Sequence, residues 1–169
     1  MDKHTVSRVR KLVGASDAYR RAASRAIGVS VIELQALSDL SYFGSMTPSS
    51  LAARLGLASP SMTALVDRLE QAGFVERIRN PRDRRSVLVV LTEVGSTSYK
   101  SIHEYYVDAI SICVEGVAPE SIDEVERFLD RVTEALRART DEWSNSQALL
   151  DNSTMRVERR DRSIPGTSA

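Results

Sequence analysis

The chain has very little with which to do redox, metal or acyl-transfer chemistry. Of its 169 residues one is a cysteine and two are histidines. A lone thiol, Cys113, excludes an internal disulfide framework and suits a reducing cytoplasm. His4 and His103 are too few and too far apart for a zinc site, so neither a metal nor another cofactor is expected. The G-x-S-x-G elbow, the P-loop, the dinucleotide fingerprint and H-E-x-x-H are all missing, which argues against an enzyme. No apolar run approaches the roughly 20 residues that span a bilayer, and the opening MDKHTVSRVRK has no hydrophobic signal segment. Aromatic residues are scarce, at 5%, as in helical proteins built from Leu, Val and Ala. Net charge is missing too, with 23 basic residues against 23 acidic ones.

What is present is polarity within that neutral total. Residues 77 to 85 hold five arginines and one acid, Asp83, whereas residues 103 to 142 hold eleven acids and four arginines. A molecule polarised in this way can turn one end toward phosphate while the other is repelled.

Start and stop signals divide the chain. Val6, Val9, Val13, Tyr19, Ala23 and Ile27 recur at helical spacing and predict a first helix over 3–26, stopped by Gly28. Its many Lys and Arg read as a solvated face. Ser30 to Glu33 is an S-x-x-E capping box opening a second helix with Val31, Leu34, Leu37 and Leu40 on one side. Thr47-Pro48 starts a short third helix, and Gly56 turns it. A fourth helix begins at Ala58 or Ser59, buries Met62, Leu65, Val66 and Leu69, and closes at Gly73.

Val75–Arg79 and Ser86–Leu91 read as strands joined by the turn Asn80-Pro81-Arg82-Asp83. Thr92 caps a long fifth helix, and Pro119 opens a sixth with the stripe Ile122, Val125, Leu129, Val132 and Leu136. That three-four alternation resembles a coiled-coil seam. After Trp143 the pattern dissolves, and 144–169 reads as a mobile tail.

The expected fold is therefore mainly α. A winged helix-turn-helix lobe with a small β-wing occupies 29–91, and 1–28 with 92–143 forms a helical dimerisation region. The fourth helix presents Ser59, Pro60, Ser61, Thr63, Ala64 and Arg68 opposite its apolar stripe. These mostly small residues let a helix approach the DNA major groove closely, with first-turn amides and hydroxyls near phosphates. Arg82, Arg84 and Arg85 form the tip of the hairpin, where flat guanidinium groups suit the negative potential of a narrow minor groove. A winged-helix module that binds protein and not DNA is the alternative. It leaves the arginines without a purpose.

Two segments carry a family resemblance. NPRDRRSVLVVLTEVG, Asn80 to Gly95, resembles the wing and following LTxxG turn of the MarR family of bacterial transcriptional regulators. LAARLGLASPSMTALVDRLEQAGFVER, Leu51 to Arg77, is similar to that family's helix-turn-helix. The resemblance implies a homodimer that binds a pseudo-palindromic double-stranded operator as a repressor and is released by a small aromatic ligand. It further implies that Arg85 pairs with Asp67 to brace the wing, leaving Arg84 for the groove. The chain departs from the family at Ala64, where many relatives carry arginine or another polar reader, and at Ala58, where a capping serine is common. Tyr19, Tyr42 and His103 are the candidate ligand pocket, among tyrosines that also suit core or dimer packing. Cys113, on the apolar side of the fifth helix, reads as a small buried hydrophobe.

Overall fold

The computed structural model describes residues 3–83 and 85–161, with side chains described through 143. The elements, in chain order, are α1 (Lys3–Ala26), α2 (Val31–Phe43), α3 (Pro48–Leu55), α4 (Ser59–Gln71), β1 (Val75–Arg79), β2 (Val87–Leu91), α5 (Glu93–Val114) and α6 (Pro119–Asp161). Their ends follow the capping chemistry of the sequence. At the head of α2 the Glu33 amide donates to Ser30 Oγ at 3.3 Å, and the Ser30 amide donates to Glu33 Oε2 at 2.8 Å. At the head of α3 the Ser50 amide donates to Thr47 Oγ1 at 3.1 Å. Gly56, at φ 65°, closes α3 in the left-handed region that a side chain disfavours.

Helices α2, α3 and α4 close around one core with the hairpin. Leu37, Leu51, Met62, Leu65, Val66, Leu69, Val75 and Val89 are almost wholly out of solvent. Each such residue contributes about 1.5–3 kcal/mol by leaving water. The strands pair antiparallel from Val75 opposite Leu91 to Arg79 opposite Val87. Met46 adds a bridge on the other side of β2: Val89 donates to the Met46 carbonyl at 2.8 Å, and Met46 donates back at 3.2 Å. A strand bonded along both edges is well placed to carry the buried Val89. Helix α2 differs from its expected one-sided pattern. Glu33, Leu34, Ala36, Leu37, Asp39 and Leu40 are all buried, so neighbours surround it and two carboxylates lie inside the lobe.

The turn from β2 into α5 demands a glycine. Thr92 Oγ1 donates to the Gly73 carbonyl at 2.6 Å and accepts the Gly95 amide at 3.0 Å, while the Thr92 amide donates to the Phe74 carbonyl at 3.1 Å. These bonds press α5 onto the start of β1 so closely that a Cβ on Gly95 would fall on the Phe74 carbonyl oxygen.

By contacts the chain forms two compact units that divide after Ile112. The first therefore holds α1 and most of α5 together with the winged-helix elements, whereas the expectation by role divided the chain at 28 and 91. Helix α6 continues through Asp161, into the segment read as a tail, and 162–169 lie outside the described residues. Cys113 is exposed, not buried. From Glu104 onward the side chains of α5 are exposed in a single copy, Tyr106 still meeting Tyr19, and Ile112 and Val114 are exposed beside the thiol. Its apolar side faces outward.

Gly95→Ala is expected to cost about 1–3 kcal/mol through overpacking against backbone that cannot yield. Gly14→Ala, in open space on α1, should stabilise by about 0.5–1 kcal/mol. Urea titrations at equal protein concentration will compare the two, and equal midpoints would refute the packing argument.

Candidate nucleic-acid interface

Helix α4 buries Met62, Leu65, Val66 and Leu69 and leaves Ser59, Pro60, Ser61, Thr63, Ala64 and Arg68 exposed on its other side. Ala58 stands at the N-cap and makes no side-chain cap bond, so the first-turn amides are not capped by their own chain. A helix start in that condition attracts an anion. Thr63 is partly committed: its hydroxyl donates to the Ser59 carbonyl at 3.2 Å, which leaves it an acceptor. Ser61 retains a hydroxyl for donation.

Arg68 is held from behind. Its Nε donates to Glu33 Oε1 at 2.6 Å, while the side chain remains 57% exposed and Glu33 is 9% exposed. The other guanidinium nitrogens face outward from a fixed base. Burial pushes the Glu33 carboxyl up, but the Ser30 amide, the Arg68 guanidinium and the Ser30 hydroxyl together outweigh it and hold the carboxyl below its ordinary range.

The wing is tied to α4 by Arg77. Its Nη2 donates to Asp67 Oδ1 at 2.6 Å, its Nη1 donates to Glu70, and its backbone amide donates to Glu70 Oε1 at 3.1 Å. This corrects the expected Asp67–Arg85 brace. Arg85 sits exposed in the loop, where its amide donates to Asp83 Oδ1 at 3.0 Å, and it makes no ion pair among the described residues. Asp67 and Glu70 lie one turn apart on the side of α4 that meets β1, so a strand residue reaches them and a loop residue does not. The missed signal was strand parity: Arg77 is two residues after the buried Val75 and points to the same face. Burial opposes the Arg77 charge, yet hydrogen bonds and charges from Asp67 and Glu70 raise its pKa above the ordinary value.

The loop beyond is ordered by its own short side chains. Asn80 Oδ1 accepts the Arg82 amide at 2.9 Å, Asn80 Nδ2 donates to Ser86 Oγ at 2.9 Å, and the Asn80 amide donates to the Ser86 carbonyl at 3.1 Å. Arg79, Arg82 and Arg85 are thereby displayed in solvent on a firm turn. Arg84, expected in the groove, lies outside the described residues.

A second feature opens where α1, α2 and α5 meet. A cavity of about 200 Å³ is lined by Ser16, Tyr19 and Arg20 of α1, by Leu34, Gln35, Ser38 and Tyr42 of α2, and by Tyr99, Ile102, His103 and Tyr106 of α5. Expected Tyr19, Tyr42 and His103 are brought together there, and Gln35, Ser38, Arg20 and Tyr99 were missed. Tyr99 and His103 stack with centroids 6.0 Å apart, and Tyr42 meets His103 edge-on at 5.8 Å. Tyr19 donates its hydroxyl to the Ile102 carbonyl at 2.6 Å, and the Tyr99 and Ser38 hydroxyls lie 2.9 Å apart. Burial raises the pKa of both Tyr19 and Tyr99, so each presents a neutral hydroxyl at neutral pH. The walls are aromatic, with amide and hydroxyl groups inside and Arg20 at the rim.

Comparison with known proteins places this geometry. A family model described as MarR family matches residues 29–87, from the head of α2 to the start of β2. An HTH-type transcriptional regulator of Bacillus subtilis, YfiV, is 31% identical over 110 residues, 65% of this chain and 69% of that protein. The chain belongs to the MarR family.

Another B. subtilis HTH-type regulator, YcgE, is 40% identical over 90 residues, a match that spans 53% of this chain and 58% of YcgE. Among solved structures, RV1404 of Mycobacterium tuberculosis is similar with a TM-score of 0.63 and 26% identity, over 80% of this chain and 94% of that one. NadR, solved in complex with 4-hydroxyphenylacetate, shares the fold at a TM-score of 0.57 and 24% identity, over 72% of this chain and 89% of that one. In this MarR protein a buried acid anchors the exposed Arg68 of α4, which has a pH signature. A carboxyl whose pKa is lowered on folding stabilises the folded state above its ordinary range and loses that contribution as pH falls through the lowered value. Glu33→Gln is therefore expected to unfold at lower urea than the parent at pH 7, and the gap should close on acidification below the ordinary carboxylate range. A gap independent of pH would show that the Glu33 charge does not matter.

Proposed function

We infer that this chain is a homodimeric DNA-binding transcriptional regulator, a repressor released from a pseudo-palindromic operator by a small aromatic ligand. One observation carries the reading: an uncapped helix start with a small, exposed face is joined through Arg77 to a hairpin that displays arginines. Helix α4 would lie in the major groove, with Ser59, Pro60 and Ser61 at phosphates and Ser61, Thr63, Ala64 and Arg68 toward base edges. Arg82, Arg84 and Arg85 would serve the flanking minor groove. With Arg77 supplying the brace, Arg85 is released for DNA.

Homodimerisation is supported by apolar side chains without cover in a single copy. In the first unit these include Val6, Leu12 and Val13 of α1 and Tyr105 and Ile110 of α5. In the second, Val125, Leu129, Leu136 and Trp143 are exposed along α6, and such a stripe favours another helix. Ligand release is supported by the aromatic cavity. Its tyrosine walls and the Arg20 rim suit an aromatic acid, and NadR was solved in complex with one, 4-hydroxyphenylacetate. A ligand that favours a lobe spacing mismatched to half-sites one helical turn apart would need a coupling of only about 1–3 kcal/mol. No helix among the described residues is long and apolar enough to cross a membrane, and we place the regulator in the cytoplasm with its DNA.

A gel shift with the DNA upstream of its own gene tests the reading, alongside sedimentation of the free protein. Specific binding as a dimer is expected. Arg82→Ala and Arg85→Ala should each weaken binding and lower the slope of log K against log salt by about one, the share of one phosphate contact. A protein that sediments as a monomer and ignores this DNA at low salt would leave the protein-interaction reading in its place.

A further inference from the structure

The cavity and the helix-turn-helix share more than a helix. We propose that Gln35 couples them, passing the state of the cavity to α3 through Asp39 and Arg54. The proposal rests on the regulator reading above and assigns the route by which the cavity acts.

Gln35 lies in the cavity wall and its Nε2 donates to Asp39 Oδ1 at 3.3 Å, a bond near the long limit. Asp39 is only 7% exposed. Its other oxygen, Oδ2, accepts from Arg54 Nε at 3.1 Å, and the Arg54 guanidinium carbon stands 3.7 Å above the centre of the Phe43 ring. Arg54 occupies the last turn of α3, immediately before the Gly56 turn that leads into α4. One carboxylate thus holds a cavity-wall amide with one oxygen and the last turn of α3 with the other.

The chemistry of that carboxylate makes the link directional. A ligand group that accepts hydrogen bonds, such as a carboxylate or phenolate, competes with Asp39 for the Gln35 amide. A buried oxygen that loses its donor is costly, and the nearest replacement is a second nitrogen of the Arg54 guanidinium. Arg54 would then move from single to paired contact with Asp39, slide on the Phe43 ring and re-tilt α3 with its turn. Ser38 does not play this part, since its hydroxyl meets Tyr99 across the same cavity.

The test uses the full chain with Gln35→Met, which keeps the side-chain length and removes the amide. Without DNA, the Arg54 Nε–H resonance in proton–nitrogen spectra should shift from its wild-type position. On the upstream duplex, Gln35→Met should change affinity about three- to tenfold, and the change should fall within twofold in an Arg54→Met background. Arg54→Lys, which keeps charge but lacks Nε, replaces that background if Arg54→Met fails to fold by circular dichroism. An unmoved resonance, or an equal change in both backgrounds, overturns the relay. Wild-type protein that binds no duplex overturns the regulator reading instead, and the resonance alone then decides whether Gln35 controls Arg54.

Discussion

Glu33 is the point at which local and long-range structure meet. Its carboxylate closes the capping box that starts α2, and the same group, inside the lobe, takes the Arg68 guanidinium from α4 at 2.6 Å. A carboxylate taken out of water is tolerated only where donors and a cation replace the solvent. Asp39 repeats the arrangement two turns later with Arg54 of α3. Apolar contacts set how near α3 and α4 come to α2, but they constrain rotation about each helix axis weakly. The two ion pairs add that constraint, because each ties one arginine to one buried oxygen.

The wing is held by a second set of the same kind. Arg77 meets Asp67 and Glu70 on α4, so hairpin and helix are tied together. At the other end of β2, the Thr92 bonds and the bare Gly95 bring α5 down onto Phe74. Rigid ties therefore surround the surface that would meet DNA, and adaptable groups are confined to Ser61 and the displayed arginines. This distribution explains how a chain of zero net charge can serve a polyanion. Acidic partners neutralise the arginines that brace, and Arg82 and Arg85 of the hairpin loop are left in solvent.

The cavity belongs to this scheme through α2. One side of that helix gives Leu34, Gln35, Ser38 and Tyr42 to the cavity, while Glu33 and Asp39 receive the arginines of the helix-turn-helix. A helix buried on nearly every side has little freedom to move without disturbing one set of contacts or the other. That is the property a switch element in a MarR lobe requires.

Caps and turns were legible in the chain because their chemistry is local. Ser30 with Glu33, Thr47 with Pro48, Gly56, and Thr92 in its bond to the Gly95 amide act within four residues, and each stands at the boundary its pattern indicated. The apolar stripe of α4 was equally legible, as were the two strands of the hairpin and the turn between them. Pairing across the fold was not. Arg77 and Arg85 look alike beside Asp67 until β1 is laid against α4, and nothing local to Asp39 announces Arg54, fifteen residues away, as its partner. Cys113 reads as core until α5 is seen to continue past its cover. The sequence by itself determined which segments are helix, strand and turn through Trp143, and which residues lie opposite the apolar stripe of α4. Tertiary structure alone decided which arginine braces and which is displayed, because a charge takes its role from the groups that packing brings within a few ångströms of it.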